Sequence, residues 1–380
     1  MARLLFVAGE PSGDLHASGV VRWLLSLRPG WTVEAVGGPL MAGAGAKILY
    51  DIDELSVVGL FEVLRHLPDV RRVFGGLSEG IRKRRWDAVV LVDYPGMNLR
   101  LAKVAASSGV PAVYYIAPQV WAWGAWRVGT MRAALAEVLV IFKFEEEFLR
   151  ARGVPAKYVG HPLLDELPER LPKSTARARL GLPEWGPALA LLPGSRRGEI
   201  RTLLPRFLAA AALLKKSLPD LAVVAACTEG VDRGWVEGLC AEVGATAFYG
   251  RTHECLCAAD AALIAAGTAT LEAGLLEVPS VVSHRLSLPS YLMAKALVRS
   301  RHVGLANIVA GEEVFPELVQ GRAGPERLAR ALRPLLADPS AAAAARDRLK
   351  HLRERLGEAG GQRAAAEAII ACLERTGRPG

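Results

Sequence analysis

Short apolar runs of strand length alternate with longer helical patterns along the N-terminal part of the chain. Segments such as Gly13–Leu27 and Asn98–Ser107 have the spacing of helices, and the runs between such segments are continuously apolar. Continuously apolar strands are buried on both faces, which is typical of a parallel sheet covered by helices. The strands predicted here are Leu4–Ala8, Thr32–Val36, Ala88–Val92, Ala112–Ile116, Glu137–Ile141 and Lys157–Val159.

The alternation stops in a proline-rich stretch and then resumes. Five prolines fall between Pro162 and Pro187, and each removes a backbone donor that a regular strand or helix would use. The second set of predicted strands is Ala188–Leu192, Leu221–Ala226, Thr246–Tyr249, Ala261–Ile264 and Ser280–Ser283. We expect an N-terminal domain (1–165), a linker (166–187), a C-terminal domain (188–340) and C-terminal helices (341–380).

Two such halves predict an α/β fold of two Rossmann-like, doubly wound domains facing a cleft. Ligands of open parallel sheets bind beyond the carboxyl ends of the strands, so loops that directly follow strands are candidate sites. The loop after Leu4–Ala8 contains Glu10, Asp14 and His16. Asp14 is interpreted as a helix cap, which explains Glu10 less well. His16 fits an ordinary hydrogen-bonded histidine as well as a functional one.

The loop after Ala88–Val92 begins with Asp93. A desolvated carboxylate at the end of a buried strand would have a raised pKa and could accept a proton. The following Pro95-Gly96 makes a turn-forming aspartate an equally good interpretation.

A third loop is unusual because three of the eight tryptophans fall within six positions, at Trp121, Trp123 and Trp126. Core packing is the usual explanation of clustered aromatic residues. Glycine and proline place this cluster partly in a loop, so a wall for an apolar or sugar ligand is the alternative interpretation.

Two loops of the second half have features of phosphate sites. Gly194-Ser195-Arg196 follows a strand and offers backbone N–H groups beside a guanidinium, which binds phosphate oxygens bidentately. Gly267-Thr268 leads into a helix start, where close backbone approach and the helix dipole favour a pyrophosphate. Glu272 could bind the vicinal hydroxyls of a ribose, although a surface glutamate in a first helical turn is the simpler interpretation.

The composition of the 380 residues excludes a disordered chain, because 51% are hydrophobic and 23% are charged. The net charge of +8 favours anionic partners: phosphorylated small molecules, an anionic membrane surface or nucleic acid. No nucleic-acid-binding module accompanies the charge, so we predict no nucleic-acid partner. The segment Val57–Leu77 is either a membrane-surface helix or an amphipathic helix with a solvated basic face.

Five cysteines without paired spacing predict reduced thiols in a cytoplasmic protein, with no metal site and no cofactor. The N-terminal apolar run Leu4–Ala8 is too short for a signal peptide. No window reaches the roughly 18 uncharged apolar residues of a membrane span, so we expect any membrane contact to be peripheral.

In combination, the loops resemble the lipid-A-disaccharide synthase family over about residues 3–335. The motifs that carry this resemblance are AGEPSGDLH (8–16), VVGLFEVL (57–64), VDYPGMN (92–98), APQVWAW (117–123), VGHPLLD (159–165), LLPGSRRGE (191–199), GTATLE (267–272) and ANIVAGEEVFPELVQ (306–320). The resemblance implies a GT-B glycosyltransferase fold whose second domain holds most of the nucleotide sugar. It implies transfer of 2,3-diacylglucosamine from its UDP form to 2,3-diacylglucosamine 1-phosphate, at the cytoplasmic face of the inner membrane. The implied products are a β-1,6-linked disaccharide and UDP.

The resemblance also implies roles for residues that match the motifs. Asp93 corresponds to the family's essential acidic residue, and Glu10 corresponds to the acidic residue of its first loop. Asp93, or else Glu10, is expected to take the proton of the acceptor 6-hydroxyl in an inverting transfer. The expected donor-binding residues are Gly194, Ser195, Arg196, Gly267, Thr268, Glu272 and Asn307, and the expected acceptor-side residues are His16, Asn98, Trp121 and Trp123.

Three positions depart from the family pattern: Gly96 stands where aspartate is common, and Lys143 and Ala306 stand where proline is common. We expect these changes to leave the donor site intact and to affect acceptor identity and acyl-chain preference. The expected partners are a UDP-activated acylated sugar, an acylated sugar 1-phosphate and an anionic membrane surface. A homodimer is compatible with the resemblance.

Two alternatives stay open at this point. One is a related GT-B enzyme that uses another lipid acceptor or epimerises a UDP-sugar, which product analysis distinguishes. The other is a non-catalytic protein that binds membranes or nucleic acid through basic residues. Such a protein would not bind UDP, and substitution of Arg196 and Glu272 by alanine would leave its binding properties unchanged.

Overall fold

The structure is a computed structural model, and it describes residues 1–52, 60–286, 291 and 300–377. The side chains of residues 60–67 are not described either. The motif at 57–64 and much of the segment Val57–Leu77 therefore lie outside the described residues. Two compact units make up the chain, one formed by Met1–Glu166 with Gly357–Gly380 and the other by Leu167–Leu356.

The first unit contains a parallel sheet, which has seven strands within the described residues, in the order β3-β2-β1-β4-β5-β6-β7. The strands are β1 (Arg3–Ala8), β2 (Thr32–Gly37), β3 (Lys47–Asp51), β4 (Ala88–Val92), β5 (Ala112–Tyr115), β6 (Glu137–Val140) and β7 (Ala156–Tyr158). The intervening helices are α1 (Pro11–Leu27), α2 (Pro39–Gly43), α3 (Leu60–Arg82), α4 (Pro95–Ser107), α5 (Arg127–Ala134), α6 (Lys143–Arg150) and α7 (Leu163–Glu166). The order reverses at β1 and β4, which is the topological switch point of a Rossmann-like sheet.

The apolar run of β1 shows why this sheet is covered on both faces. Leu5 and Val7 are fully buried in one core cluster, whereas Leu4 and Phe6 are fully buried in another. Successive side chains of a strand point to opposite faces, so an unbroken apolar run supplies both clusters.

The second unit contains a parallel sheet whose described strands run in the order β10-β9-β8-β11-β12-β13. These strands are β8 (Ala188–Leu192), β9 (Ala222–Cys227), β10 (Thr246–Tyr249), β11 (Ala261–Ala265), β12 (Ser280–His284) and β13 (Glu317–Val319). The described helices of this unit are α8 (Lys173–Leu180), α9 (Arg197–Lys215), α10 (Arg233–Val243), α11 (Thr252–Ala258), α12 (Ala269–Leu275), α13 (Leu305–Ala310), α14 (Pro325–Ala337) and α15 (Pro339–Leu356). The predicted α/β class of two doubly wound domains is confirmed.

Every strand predicted from the sequence is present, and its ends differ from the prediction by at most one residue. Two further strands, β3 and β13, were not predicted. The side chains of β3 are only partly buried, and β13 has three residues, so neither has the continuously apolar pattern of the central strands. Both lie at a sheet edge.

The last helix, α16 (Gly361–Arg375), belongs to the first unit although it follows the second one in the sequence. It packs against α1 at Gly19, where a Cβ atom would lie 1.8 Å from the side-chain oxygen of Gln362. The backbone N–H of Gln362 also donates to Asp165 Oδ2 at 2.8 Å. The C-terminal helices predicted at 341–380 are thus divided between the two units.

The segment predicted as a linker, 166–187, contains helix α8 and is anchored to the second unit by Arg177. This side chain is 3% exposed. Its guanidinium donates to the carbonyl oxygens of Glu184 at 2.8 Å and Gly186 at 2.9 Å, and to Asp260 Oδ2 at 3.0 Å. Because Asp260 also accepts from the backbone of Ala188 at 2.9 Å, the proline-rich segment is fixed to the start of β8.

Asp14 is a helix cap, as the sequence indicates, but it caps a helix other than its own. Asp14 is 2% exposed, and its carboxylate accepts hydrogen bonds from the backbone N–H groups of Gly38 at 2.8 Å, Leu40 at 3.0 Å and Met41 at 3.1 Å. These groups belong to the start of α2, so Asp14 caps a neighbouring helix. It thereby connects α1 to the end of β2.

We predict that Arg177→Ala lowers the free energy of unfolding of the second unit by about 3 kcal/mol, because it removes the buried cation that pairs with Asp260 and leaves several carbonyl groups without their buried donor. Arg177→Lys should recover only part of this loss, since an ammonium cannot reproduce the planar fork of a guanidinium. Urea titration of the full chain measures the effect, and Arg179→Ala on the exposed side of the same helix is the control. Equal unfolding curves for Arg177→Ala and the control would contradict the anchoring role.

Candidate functional site

The first candidate site lies where β1 and β4 end side by side. The two strands are in parallel register with Ala8 opposite Val92, so the loops that begin at Gly9 and Asp93 leave the same edge. The ring of Tyr94 packs directly on Gly9, where a Cβ atom would lie 2.4 Å from Tyr94 Cγ. Burial, and then the nearby charge of Glu10, raise the pKa of Tyr94. The structure therefore brings the predicted acidic residues Glu10 and Asp93 into adjoining loops.

The backbone at Asp93 is held in an uncommon conformation. Asp93 has φ +43° and Tyr94 has φ +48°, in the left-handed region that non-glycine residues seldom occupy. The carbonyl oxygen of Asp93 accepts from Tyr114 Oη at 2.5 Å and from Asn98 Nδ2 at 2.8 Å. The N–H of Asp93 donates to the carbonyl oxygen of Tyr115 at 3.0 Å. This turn is strained and is maintained by its neighbours, as is common at functional sites.

The side-chain amide of Asn98 supports this turn. Its side chain is fully buried, and Nδ2 also donates to the carbonyl oxygens of Val7 at 3.2 Å and Val92 at 3.1 Å. The amide therefore joins the ends of β1 and β4. We assign Asn98 this supporting role, and its expected contact with the acceptor stays a prediction.

His16 belongs to a side-chain network with Glu166 and Gln362, which are both distant from it in sequence. Nδ1 of His16 lies 2.9 Å from Glu166 Oε1, which in turn accepts from Gln362 Nε2 at 2.9 Å. The nearby His161 is buried, and burial with the charge of His16 lowers its pKa to about 3. His161 is consequently neutral, and its Nδ1 accepts from the backbone of Leu163 at 3.1 Å. Glu166 and Gln362 could not be found from the sequence because they are 150 and more positions from His16.

The tryptophan-rich loop has one anchored and two exposed indole rings. Trp121 Nε1 donates to Glu145 Oε1 at 2.9 Å, and its ring meets Phe144 edge to face at 5.0 Å. Glu145 is 2% exposed, and burial raises its pKa to about 7 despite the hydrogen bond from Trp121. Trp123 and Trp126 are 40% and 65% exposed. Trp121 is thus part of a packed cluster, while Trp123 is accessible to a ligand as the acceptor-side prediction requires.

In the second unit, Gly194 and Arg196 lie between β8 and α9. Gly194 has φ +111°, and a Cβ atom there would lie 2.1 Å from Glu199 Oε2. Burial raises the pKa of Glu199, and this outweighs the hydrogen bonds from the backbone of Ser195 and Arg196. Glu199 therefore folds back over the loop, and the phosphate contacts expected of Gly194, Ser195 and Arg196 stay predictions.

Glu199 also faces a histidine at the end of β12. His284 Nδ1 lies 3.8 Å from Glu199 Oε1, too far for a hydrogen bond. Within the described residues this buried nitrogen has no hydrogen-bond partner, and burial lowers the pKa of His284. His284 was missed because nothing in the sequence separates it from the other residues that end apolar strands.

The loop after β11 leaves the same edge as the loop after β8, because Ile264 pairs with Leu192. Gly267 has φ +150°, and within the described part of the chain nothing lies within 4 Å of the position of a Cβ atom. Thr268 is the N-cap of α12, and Glu272 is partly buried in its first turn. The open backbone at Gly267 is what close approach of a ligand requires.

Two buried polar side chains hold this loop in place. Thr270 Oγ1 donates to the carbonyl oxygen of Gly267 at 2.7 Å and accepts from the backbone of Ala306 at 3.2 Å. Asn307 is fully buried, and Nδ2 donates to Phe315 O at 2.8 Å and Glu317 Oε1 at 2.9 Å. Asn307 Oδ1 accepts from the N–H of Phe315 at 2.9 Å. Asn307 supports α13 in this structure, and its expected contact with the donor stays a prediction.

Residues 1–52, 60–286, 291 and 300–377 contain neither a candidate metal site nor a candidate membrane span. No group of three or more histidine, cysteine or acidic residues that could hold a metal ion occurs there. No helix in these ranges has both the length and the apolar character needed to cross a membrane. The cysteines are free and buried, and burial raises the pKa of Cys227 to about 12.

Comparisons with known proteins extend these observations. A family model described as lipid-A-disaccharide synthetase matches residues 4–371. The lipid-A-disaccharide synthase of Myxococcus xanthus (strain DK1622) is 41% identical over 373 residues, which cover 98% of this chain and 97% of that protein.

Solved structures with low sequence identity show the fold. The UDP-GlcNAc 2-epimerase from Neisseria meningitidis bound to UDP-GlcNAc has a TM-score of 0.67 at 12% identity, covering 97% of this chain and 100% of that chain. The calicheamicin glycosyltransferase CalG4 has a TM-score of 0.61 at 19% identity, covering 99% of both chains. The fold is thus of the GT-B type, which glycosyltransferases and epimerases share. Because the family match and the 41% identical relative both span nearly the whole chain, this chain belongs to the lipid-A-disaccharide synthase family of glycosyltransferases.

Proposed function

We propose that this chain transfers 2,3-diacylglucosamine from UDP-2,3-diacylglucosamine to 2,3-diacylglucosamine 1-phosphate with inversion at the anomeric carbon. The products are the lipid A disaccharide 1-phosphate and UDP. The single observation that carries this proposal is the family match over residues 4–371. The strained acidic turn at Asp93 supports it, because it presents a carboxylate beyond the end of a buried strand.

Asp93 acts as the general base in this reaction. Its carboxylate takes the proton from the acceptor 6-hydroxyl while that oxygen forms a bond to the anomeric carbon of the donor. The bond between that carbon and the UDP oxygen breaks, and the electron pair leaves with UDP. The turn is fixed through its backbone carbonyl by Tyr114 and Asn98, so the side chain starts from a defined position. Glu10 in the adjoining loop is the alternative base.

The second unit stabilises the departing UDP. Arg196 at the N-cap of α9 and the backbone at Gly267-Thr268 interact with the two phosphates, whose negative charge increases as the bond to the sugar breaks. Glu272 accepts hydrogen bonds from the ribose hydroxyls. Contact of the phosphates with Gly194 and Ser195 requires the Glu199 side chain to move away from the loop.

The first unit holds the acylated acceptor beside an anionic membrane surface on the cytoplasmic face. Exposed aromatic side chains support this part of the proposal: Trp123, Trp126 and Phe144 are 40%, 65% and 37% exposed. Indole rings prefer the boundary between apolar and aqueous phases, so they suit a surface that receives acyl chains. The net charge of +8 favours both the anionic membrane and the phosphorylated acceptor.

Product analysis tests the reaction itself. The purified chain is mixed with UDP-2,3-diacylglucosamine and the acceptor in neutral detergent, and the lipids are identified by mass spectrometry. UDP and a disaccharide 1-phosphate are the expected products. An isomerised UDP-sugar without a disaccharide would show instead an epimerase, the activity named for one protein of the same fold.

We predict that Asp93→Asn lowers kcat about 1,000-fold with little change in either KM, because the amide cannot accept the proton. Asparagine is tolerated in the left-handed region, so this variant should keep the turn and the thermal stability of the chain. Steady-state assays of disaccharide formation give the result. Glu10→Gln is assayed in parallel, and full turnover of Asp93→Asn with loss in Glu10→Gln would assign the base to Glu10.

We predict that Glu272→Gln raises the KM for the UDP-sugar about tenfold and weakens UDP binding equally, since a neutral amide replaces a charged acceptor of the ribose hydroxyls. The KM for the acceptor should not change. Glu326→Gln is the matched control, because Glu326 is an exposed glutamate in the first turn of α14. An unchanged KM for the donor in Glu272→Gln would remove Glu272 from the donor site.

A further inference from the structure

Arg127 at the start of α5 is clamped in one position by the tryptophan-rich loop. Its Cζ atom lies 4.3 Å from the ring centroid of Trp123 and 5.6 Å from that of Trp126. The guanidinium also lies against Gly124, where a Cβ atom would be 3.2 Å from Nη1. Gly124 has φ +79°, a backbone conformation that favours glycine. The missing side chain also allows the Arg127 guanidinium to lie close to the backbone.

The clamp orients the guanidinium without satisfying all of its donors. Nη1 of Arg127 is buried, and within the described residues it has no hydrogen-bond partner. Contact with aromatic faces provides attraction to the charge but no hydrogen-bond acceptor. A buried charged donor without an acceptor is costly, and such a group in a native protein calls for an explanation such as a functional role or an ion that it binds.

The loop that follows β5 and leads to Arg127 leaves the sheet at the same edge as the Asp93 turn, because Val92 at the end of β4 pairs with Tyr115 at the end of β5. The two charges act on the same buried phenol: Asp93 raises the pKa of Tyr114, Arg127 lowers it, and burial raises it most. Tyr114 Oη donates to the carbonyl oxygen of Asp93 at 2.5 Å, so this phenol belongs to the turn that carries the proposed base. An anion held by Arg127 would therefore lie near the turn that carries the proposed base.

We propose that Arg127 binds the phosphate monoester of the acceptor and so selects a phosphorylated acylated sugar as the nucleophile. This inference rests on the proposed function. In that acceptor the reacting 6-hydroxyl and the 1-phosphate are at different ends of one sugar ring. Arg127 holds the phosphate with the fork of its guanidinium while Asp93 faces the hydroxyl. The exposed indole faces of Trp123 and Trp126 leave the sugar and acyl chains an apolar surface beside the phosphate.

The test compares the phosphorylated acceptor with its dephosphorylated analogue in neutral detergent. For Arg127→Gln we expect kcat/KM with the phosphorylated acceptor to fall about 100-fold, while the KM for the donor is unchanged. Arg127→Lys should lose about tenfold, because an ammonium keeps the charge without the fork. With the dephosphorylated analogue, wild type and Arg127→Gln should have the same kcat/KM. Arg132→Gln on the same helix is the control and should match wild type with both acceptors.

Two results would overturn the inference. Equal losses by Arg127→Gln with both acceptors would make the arginine a structural residue of the loop. Normal acceptor kinetics, together with loss of sedimentation on vesicles of phosphatidylcholine and phosphatidylglycerol, would assign Arg127 to lipid headgroups instead. Calorimetric titration of each variant with the phosphorylated acceptor alone gives a readout independent of turnover. If wild type bound this acceptor through Arg127 but formed no disaccharide, the proposed function would fail while the phosphate site would stand.

Discussion

The side-chain amide of Asn98 is the interaction on which the first site depends. Parallel strands end at the same edge, but nothing in a ladder of backbone hydrogen bonds fixes the loops beyond it. Asn98 Nδ2 reaches the carbonyl oxygens of Val7, Val92 and Asp93, and so fastens the ends of β1 and β4 to one another and to the turn. The left-handed backbone at Asp93 and Tyr94 persists because these contacts offset its strain. Removing the amide would release the turn before it changed the sheet.

The central part of the fold could be predicted from the sequence because burial on both faces leaves a local signal. A strand such as Ala88–Val92 is apolar at every position, and the turn-forming pair Pro95-Gly96 follows two residues after its end. The edge strands β3 and β13 lack that signal, because the side chains of β3 are only partly buried and β13 has three residues. The return of α16 to the first unit leaves no local signal either, because its partner α1 lies near the other end of the chain. The apolar residues of α16 indicate a buried face. Only the structure shows that this helix packs against α1 at Gly19.

The candidate site could be predicted at the level of loops and less well at the level of atoms. Strand ends made Glu10, Asp93 and Glu272 candidates, because ligands of parallel sheets bind beyond the carboxyl ends of the strands. Only the family resemblance favoured Asp93 and Glu272 over a turn residue and a surface glutamate, and their roles stay predictions. The partners of these loops are set by contacts between distant segments. Glu166 pairs with His16, which is 150 positions earlier in the sequence. Glu145, near the start of α6, accepts a hydrogen bond from Trp121, which is 24 positions earlier. Asn307 matches a family motif, and its side-chain amide forms hydrogen bonds with Phe315 and Glu317 in this structure.

Buried polar side chains in this chain differ in whether their polar atoms are matched, and we use this difference to distinguish structural support from recognition of a ligand. Asn307 and Thr270 have their polar atoms matched inside the second unit, so they hold the Gly267 loop and leave its backbone open. In Arg127 a charged donor is fixed by Trp123 and Gly124 but not matched within the described residues. A matched group lowers the energy of the loop that it holds. A charged group without an acceptor raises the energy of the loop when no anion is bound. It therefore favours the anion-bound state of the loop over the anion-free state. The proposed acceptor site is therefore expected to bind the phosphate more selectively than the apolar surface around it binds acyl chains.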